Sequence, residues 1–399
     1  MDALTTPSNW QRVRLGDIGK PCMCKRVMKH QTTRYGEIPF YKIGTFGNTA
    51  DAFISKKLFL EYKTKYSFPK KGDILISASG TIGRAVIYDG KPAYFQDSNI
   101  VWIDNDETLV KNDFLFYAYS NIKWNTEHTT ILRLYNDNFK NTLIPLPPLN
   151  EQIAIANILS DVDHYLYSLR ALILKKESVK KALRIKMLNQ ILASNGVEFR
   201  ELGDIILSLK TGLNPRSFFK LNTPNANNYY VTIRELEDYT IKFTHQTDRI
   251  DDNALFLCLK RSNLEKDDIL FSGTGTIGKV SIIEKNPNNW AIKEGIYSIK
   301  PNKKIVFPRF LMFCLESSNI QNDIKNKSFG GIVKSIPMND LQQIQIPLPP
   351  LNEQIAIANI LSDLDSEITS LKNKKRQFDN IKKALNHDLM SAKIRVLKK

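Results

Sequence analysis

The seventeen-residue string PLPPLNEQIAIANILSD occurs twice in this chain, at Pro145–Asp161 and Pro347–Asp363, without a single difference. A duplication of this kind fixes the architecture before any local motif is read. It reaches well past the string. Arg14-Leu15-Gly16-Asp17-Ile18 returns as Glu201-Leu202-Gly203-Asp204-Ile205, and the DILISASGTIG of 73–83 returns as DILFSGTGTIG at 268–278. The offset grows from 187 at the first anchor to 202 at the last, so the second unit carries fifteen extra residues. Between the anchors, Pro21–Pro69 has no recognisable counterpart in Thr211–Lys266. One unit has been built twice, with a constant frame and two fillings.

Each unit ends in a long helical pattern. In 151–192 apolar residues recur at Ile155, Ile158, Val162, Leu166, Leu169, Ile173, Leu183 and Met187, mostly in steps of three and four. In 353–394 they recur at Ile357, Ile360, Leu364, Ile368, Leu371, Phe378, Leu385 and Leu389. The prolines before each stretch block backward extension, Asn150 stands where an N-cap is expected, and Asn195-Gly196 gives a stop. At 1.5 Å per residue each helix is about 60 Å long. A narrow apolar seam on a solvated helix needs a partner, and its own duplicate, packed antiparallel about a pseudo-twofold axis, is the natural one. Packing of each helix on its own head alone is the alternative.

The stretches 10–148 and 198–350 instead hold short apolar or alternating runs separated by Gly, Pro, Asn and Asp: Asp73–Ser77, Ala85–Tyr88, Ile100–Ile103, Tyr229–Ile233, Asp268–Ser272, Val280–Ile283 and Ile296–Ile299. Short helices are expected at Asp113–Tyr119 and Pro308–Glu316. The expected fold is α+β: strand-rich globular domains at 1–148 and 197–350, each followed by a spacer helix, at 149–196 and 351–399, the helices forming an antiparallel coiled coil.

With 57 Lys and Arg against 41 Asp and Glu, the chain carries a formal charge of +16, which favours an anionic partner, nucleic acid first. Cys22, Cys24, Cys258 and Cys314 show neither metal spacing nor a disulfide framework, which fits a reducing, cytoplasmic setting. No charged leader precedes an apolar run at the N-terminus, and no run reaches membrane-helix length.

Three catalytic motifs overlap at Phe271–Lys279: a dinucleotide GxGxxG, a phosphate-loop GxxxxGK, and the FxGxG by which amino-methyltransferases hold S-adenosylmethionine. The first unit acts as a control. Its Ile76–Arg84 breaks all three patterns and keeps only a strand, a Gly/Ser/Thr turn and a basic residue, Arg84 matching Lys279. The shared feature is therefore a turn, structural or facing a phosphate. No NPPY-like tetrapeptide, PD…ExK constellation or helicase box occurs, and His30, His128, His164, His245 and His387 lack metal-ligand spacing. The chain reads as a binder.

The set LPPLNEQ followed by IAxILSxxD (146–163, 348–365), LGD (15–17, 202–204) and DILxSxxGTIG, in the same order in both halves, resembles the specificity (S) subunit of type I restriction–modification systems over nearly the whole chain. The resemblance implies two target-recognition domains on spacer helices that dock two modification (M) subunits. It also implies that S-adenosylmethionine and adenine methylation belong to M, and ATP, Mg²⁺, translocation and cleavage to restriction (R) subunits. This chain would bind double-stranded DNA and no cofactor of its own. Unlike heads then imply unlike half-sites, an asymmetric bipartite target with an unread spacer.

Expected DNA contacts are the basic and hydroxyl residues of the heads. In the first they are Lys25, Arg26, Lys29, Arg34, Lys42, Ser79, Thr81, Arg84, Arg133 and Tyr135. In the second they are Lys210, Arg216, Lys220, Arg234, Thr274, Thr276, Lys279, Lys327 and Lys334. For any one of them a solvated surface charge is the plainer account. The expected partner face is the polar set common to both copies: Asn150, Glu151, Gln152, Asn157 and Asp161, with Asn352, Glu353, Gln354, Asn359 and Asp363. Recent duplication without drift would also leave them identical. A specificity chain serving a fused methylase–nuclease, or a self-contained methyltransferase using Phe271–Gly278, are the competing readings.

Overall fold

The computed structural model of the chain describes residues 9–125, 127–128, 132–193, 197–215, 218–237, 239–330 and 333–396. It divides into two compact units, 1–171 with 372–399, and 172–371, and both divisions fall inside a long helix. Each unit therefore owns one head, the first half of the helix that follows it, and the second half of the other helix.

In the first unit, β1 (Gln11–Arg14) leads through the one-turn α1 (Leu15–Ile18) into β2 (Gly19–Cys22), then β3 (Ile38–Tyr41), β4 (Phe53–Ile54), α2 (Lys56–Lys65), β5 (Ile74–Ser77), β6 (Ala85–Ile87), β7 (Tyr94–Phe95), β8 (Ile100–Asn105) and α3 (Asn112–Tyr119). After the short strands β9 (Glu127–His128) and β10 (Leu132–Arg133) come α4 (Asn136–Asn141), β11 (Leu143–Leu146) and α5 (Leu149–Ala193). One antiparallel sheet has the order β2-β8-β5-β6. A second, β4-β3-β7, joins β3 to β7 in parallel, Phe40 opposite Tyr94. β1 pairs with β11, Gln11 against Leu146, so the first strand is laced to the one that launches the helix.

The second unit repeats this order. β12 (Glu198–Glu201) leads to β13 (Ile206–Thr211), β14 (Asn228–Val231), the hairpin β15 (Leu236–Glu237) and β16 (Thr240–Ile241), β17 (Arg249–Ile250) and α6 (Asp252–Ser262). Then come β18 (Ile269–Ser272), β19 (Val280–Ile282), β20 (Trp290–Ile292), β21 (Ile296–Pro301), α7 (Pro308–Leu315), α8 (Ser318–Asn326), α9 (Met338–Gln342), β22 (Gln345–Leu348) and α10 (Leu351–Met390). Its sheets, β13-β21-β18-β19 and β17-β14-β20, have the same order and the same parallel pair, and β12 pairs with β22. The frame thus extends through the stretches whose sequences show no kinship. Even the capped helix recurs: Ser55 accepts from Leu58 N at the start of α2, and Asp251 from Ala254 N at the start of α6. The β15–β16 hairpin and α8, which have no equivalent among the described residues of the first head, take up most of the extra length.

The leucine and isoleucine of each LGDI segment (Leu15, Ile18; Leu202, Ile205) sit in the buried core of their head, which explains why that segment is repeated. Both long helices begin one residue before the expected cap, so Asn150 and Asn352 lie in the first turn. The Asn195-Gly196 stop lies outside the described residues. The pairing is antiparallel in each unit. In the first, Tyr165 packs on Phe378 and Asp163 binds Lys382; in the second, Lys176 binds Glu367 and Lys180 binds Asp365, so partner numbers fall along one helix as they rise along the other.

Two expected seam residues are not in the seam. Ile158 is 38% exposed and Ile360 43%. Within the repeated string the inward residues, Ile155, Ala156 and Leu159 with Ala358 and Leu361, pack on the core of their own head. Helix-to-helix packing falls to later residues, such as Tyr165 against Phe378. Among the described residues no helix is long and apolar enough to cross a membrane.

Candidate nucleic-acid interface and helix faces

The glycine turns are built alike in both heads. Ser77 Oγ donates to Thr81 O and accepts from Arg84 N; Ser272 Oγ donates to Thr276 O and accepts from Lys279 N. Gly83 and Gly278 have φ of 83° and 92°, and each donates its N–H back to the same serine's carbonyl at 2.9 Å. A Cβ at Gly83 would land on the Trp124 indole, and one at Gly278 on the Gln321 amide. In the second head, where the phosphate-loop and methyl-donor motifs seemed to surface, the amides of Gly273, Gly275 and Gly278 donate to the carbonyls of Gly295, Lys334 and Ser272. Asp73 and Asp268 open the two motifs. Burial pushes both carboxyls up, that of Asp268 to about 6.

Three chain segments converge on each turn. The segment before the helix returns to it: Leu134 N donates to Ala78 O, Ile336 N to Gly273 O, and Ser79 pairs with Arg133 as Thr274 pairs with Ser335. The β7–β8 turn meets it through Ala78 N to Asn99 O, and the β20–β21 turn through Gly273 N to Gly295 O, each 2.8 Å. The end of β3 and the end of β14 complete the group, Gln96 N donating to Tyr41 O and Lys293 N to Val231 O.

The structure therefore brings together many of the expected DNA contacts. In the first head Ser79 Oγ and Arg133 Nη2 both donate to Asn99 Oδ1, and Arg26 lies 3.6 Å from Asp97 in the same turn. Lys42 pairs with Asp51 at 2.8 Å, and the next residue, Ile43, is tied to Gln96. Thr81 is exposed, as are Tyr135 and Lys25, whose ammonium sits over the Tyr66 ring. Lys29 and Arg34 are exposed in the β2–β3 connection.

In the second head a cleft of about 660 Å³ lies beside the turn, lined by Thr211, Thr232, Thr274, Lys293, Glu294 and Ser335 among others. Thr276, Lys220 and Lys334 are exposed, and Lys210 adjoins Thr211 in β13. Arg234 reaches Asp248 at 2.7 Å, and Lys327 donates to Gln343. Arg216 lies outside the described residues. The shared basic residues differ from expectation in where they point: Arg84 donates to Phe46 O, and Lys279 to Ile233 O and Leu236 O. Both brace the turn against the neighbouring loop, because carbonyls left near a tight turn need donors. Sequence reading missed Asp97, Asn99, Lys293 and Glu294. Their signal was available: a turn just before an apolar strand at the same place in both copies.

The helix faces separate cleanly. Three of the polar residues assigned to partner docking turn inward. Gln152, fully buried, donates to Leu109 O and Pro147 O and accepts from Lys111 N, at 2.8–2.9 Å. Gln354 repeats the arrangement with Ile305 O, Pro349 O and Phe307 N. Each glutamine clips a long helix to the start of α3 or α7, a structural role that a buried amide with all its groups paired fulfils well. Glu151 accepts from Trp10 Nε1 (2.9 Å), Asn9 Nδ2 (3.2 Å) and Arg395 Nη2 (2.6 Å). Burial pushes its carboxyl up, but these donors and the Arg395 charge outweigh it and hold the carboxyl below its ordinary value. Glu353, its duplicate, is exposed, and its carboxylate has no hydrogen-bonding or ionic partner among the described residues; Val197 stands where Trp10 would be.

What remains outward is the same in both copies. Asn150, Asn157 and Asp161 surround exposed Leu149, Ile153 and Ile158; Asn352, Asn359 and Asp363 surround exposed Leu351, Ile355 and Ile360.

Paired heads with a common frame, each on half of an antiparallel helix pair, define a two-module binding chain. The family described as "Type I restriction modification DNA specificity domain" matches residues 7–176 and again 194–378, so the chain belongs to the type I restriction–modification specificity-subunit family. A Haemophilus influenzae protein bearing a type I restriction enzyme specificity-subunit name is 64% identical over 148 residues, 37% of this chain and 38% of that protein. A Methanocaldococcus jannaschii protein named for the MjaX specificity subunit is 29% identical over 414 residues, 98% of this chain and 95% of its own. The crystal structure of a type I restriction–modification S subunit from M. genitalium covers 98% of this chain and 99% of its own, with a TM-score of 0.61 at 18% identity, and shows that the fold is shared.

Proposed function

We propose that this chain is a non-catalytic DNA-reading subunit of a cytoplasmic type I restriction–modification complex. Each head reads one half of an asymmetric bipartite site in double-stranded DNA. The helix faces hold two M subunits, which carry S-adenosylmethionine and methylate adenine, and R subunits bring ATP and Mg²⁺ for restriction. One observation carries the reading: the parts that differ between the copies are the heads, and the parts that match include two exposed helix faces that nothing in the fold requires to match. A frame that repeats while its fillings diverge suits one partner species bound twice and two different DNA segments bound once each. The net charge of +16 supports an anionic ligand.

The test replaces residues 20–140 with the corresponding head of another family member and maps the methylated motif by long-read sequencing. One half of the motif is expected to change and the other to stay. A change in both halves, or in neither, overturns the modular reading.

A further inference from the structure

Resting on that reading, we infer that the turn between the parallel strand and the long strand of each head, residues 96–99 and 293–295, is the base-reading element. In the second head, Lys293 and Glu294 together read a G·C pair.

The turn is held in the same place in both heads by the same two backbone bonds: from Gln96 N to Tyr41 O and Ala78 N to Asn99 O in one, from Lys293 N to Val231 O and Gly273 N to Gly295 O in the other. It contains a left-handed residue in each, Ser98 with φ 59° and Gly295 with φ 89°. Glycine adopts that conformation readily and serine does not, so the first head keeps a left-handed residue in this turn at a conformational cost. The place in the frame is common while the side chains, and the length by one residue, are not: Gln-Asp-Ser-Asn against Lys-Glu-Gly. Constant position with variable contents is the form a reading element must have when two heads read different sequences.

The side chains of the second turn have no other employment. The Lys293 and Glu294 side chains are at the cleft, both residues are exposed, and neither side chain makes a hydrogen bond or ion pair among the described residues, not even with the other. Four other cations of this head are paired, Arg234 with Asp248, Lys300 with Glu265, Lys303 with Asp267 and Arg309 with Glu284. Lys293 shares its freedom with others such as Lys220 and differs from them in lying on this turn at the cleft. A carboxylate is repelled by phosphates, so on a DNA-facing turn it is tolerated only where it meets a base amino group. Glutamate accepts from cytosine N4, and lysine donates to guanine O6 and N7; side by side they match the major-groove edge of one G·C pair. In the first head, Arg26, beside Asp97, is the corresponding guanine donor.

The test uses the chain assembled with its modification subunits. Glu294→Gln and Lys293→Gln are compared with the parent by methylome mapping and by competition between the cognate duplex and duplexes altered one base pair at a time. Discrimination at one G·C position of one half-site is expected to fall roughly 5- to 150-fold, with every other position unchanged. Arg26→Gln is expected to relax one position in the opposite half. An unchanged motif in both Glu294→Gln and Lys293→Gln overturns the inference. So does an equal loss of affinity for all duplexes, which would mark phosphate contacts. Exchange of residues 197–350 for another head separates the two claims. If that exchange rewrites one half-site while the point variants do not, the turn assignment alone falls. If it rewrites nothing, the DNA-reading function falls with it.

Discussion

At the level of single residues, two glycines in one turn make opposite predictions. Gly275 and Gly278 both have positive φ, 82° and 92°. A Cβ on Gly275 meets nothing within 4 Å, whereas one on Gly278 runs into the Gln321 side chain. That side chain is not free to retreat, because its Nε2 donates to Gly278 O and Leu315 O. Gly275→Ala therefore costs only backbone strain, about 1–2 kcal/mol. Gly278→Ala adds the loss of two partly buried hydrogen bonds, for a total of about 3–5 kcal/mol. Denaturant unfolding of the two variants side by side checks the ordering; equal effects would mean that the Gln321 brace is slack. The same logic holds at Gly83, where the obstacle is the Trp124 ring. These turns carry a near-catalytic glycine pattern because of φ and close packing.

At the level of elements, each helix pair is fastened by a duplicated ion pair. Asp163 and Asp365 are equivalent residues of the two helices, and so are Lys382 and Lys180. In the first unit Lys382 reaches Asp163, which also accepts from Tyr117 Oη. In the second, Lys180 binds Asp365, donates to Tyr239 Oη and lies 4.2 Å from that ring's centre. The tyrosines come from unrelated positions, α3 in one head and the β15–β16 hairpin in the other, so the heads have found the same partner separately. The Lys180 side chain is 12% exposed against 27% for Lys382. Lys180→Ala is thus expected to destabilise by about 2–4 kcal/mol, through a partly buried carboxylate stripped of its cation. Lys65→Ala, which breaks an exposed pair with Glu61 in α2, is expected to cost at most about 0.5 kcal/mol. Unfolding of both variants, with Asp365→Asn added to close a double-mutant cycle, measures the coupling. This level also shows how far the sequence could be read. The exact repeat announced the helices, their antiparallel pairing and the strands around each motif, because apolar spacing is a local signal. It could not tell that Gln152 turns in and Ile158 out, since polarity predicts exposure only on average and a buried amide is acceptable once every group is bonded. Nor could it foresee that Glu151 is closed and Glu353 open. That difference is made by Trp10 and Arg395, 141 and 244 residues away. The matching sheets hidden between the anchors were illegible for a further reason: a strand keeps its place through pleat and burial, which many side chains satisfy.

For the whole molecule, the question is whether identity between the copies reflects selection or a duplication too recent to have drifted. Burial divides the repeated string into two classes that answer it differently. Ile155, Ala156, Leu159 and Gln152 match their duplicates for reasons internal to each head. Leu149, Ile153, Ile158, Asn150, Asn157 and Asp161 are exposed, and so are their duplicates, with no internal reason to match. If one species of M subunit docks on both faces, each outward isoleucine sits in a protein interface, where burying an introduced ammonium without a partner weakens binding by at least about 2 kcal/mol, roughly thirtyfold. Ile158→Lys is then expected to lower the complex from two M subunits per chain to one, Ile360→Lys to do the same, and the double variant to bind none. Mass photometry at a free M concentration several times the parent Kd, and well below about thirty times it, reads the stoichiometry directly. The melting temperature of the isolated chain should stay within a degree or two of the parent in all three, because the lysine lands on an already exposed site. If the double variant keeps two M subunits, the matching faces are a relic of duplication and docking must be sought elsewhere on the helices. Glu353→Lys sharpens the comparison. It alters only the open copy of a residue whose twin is held by Trp10 and Arg395, so it is expected to cost the M subunit on its own face and no other; two M subunits retained would place Glu353 outside the docking face.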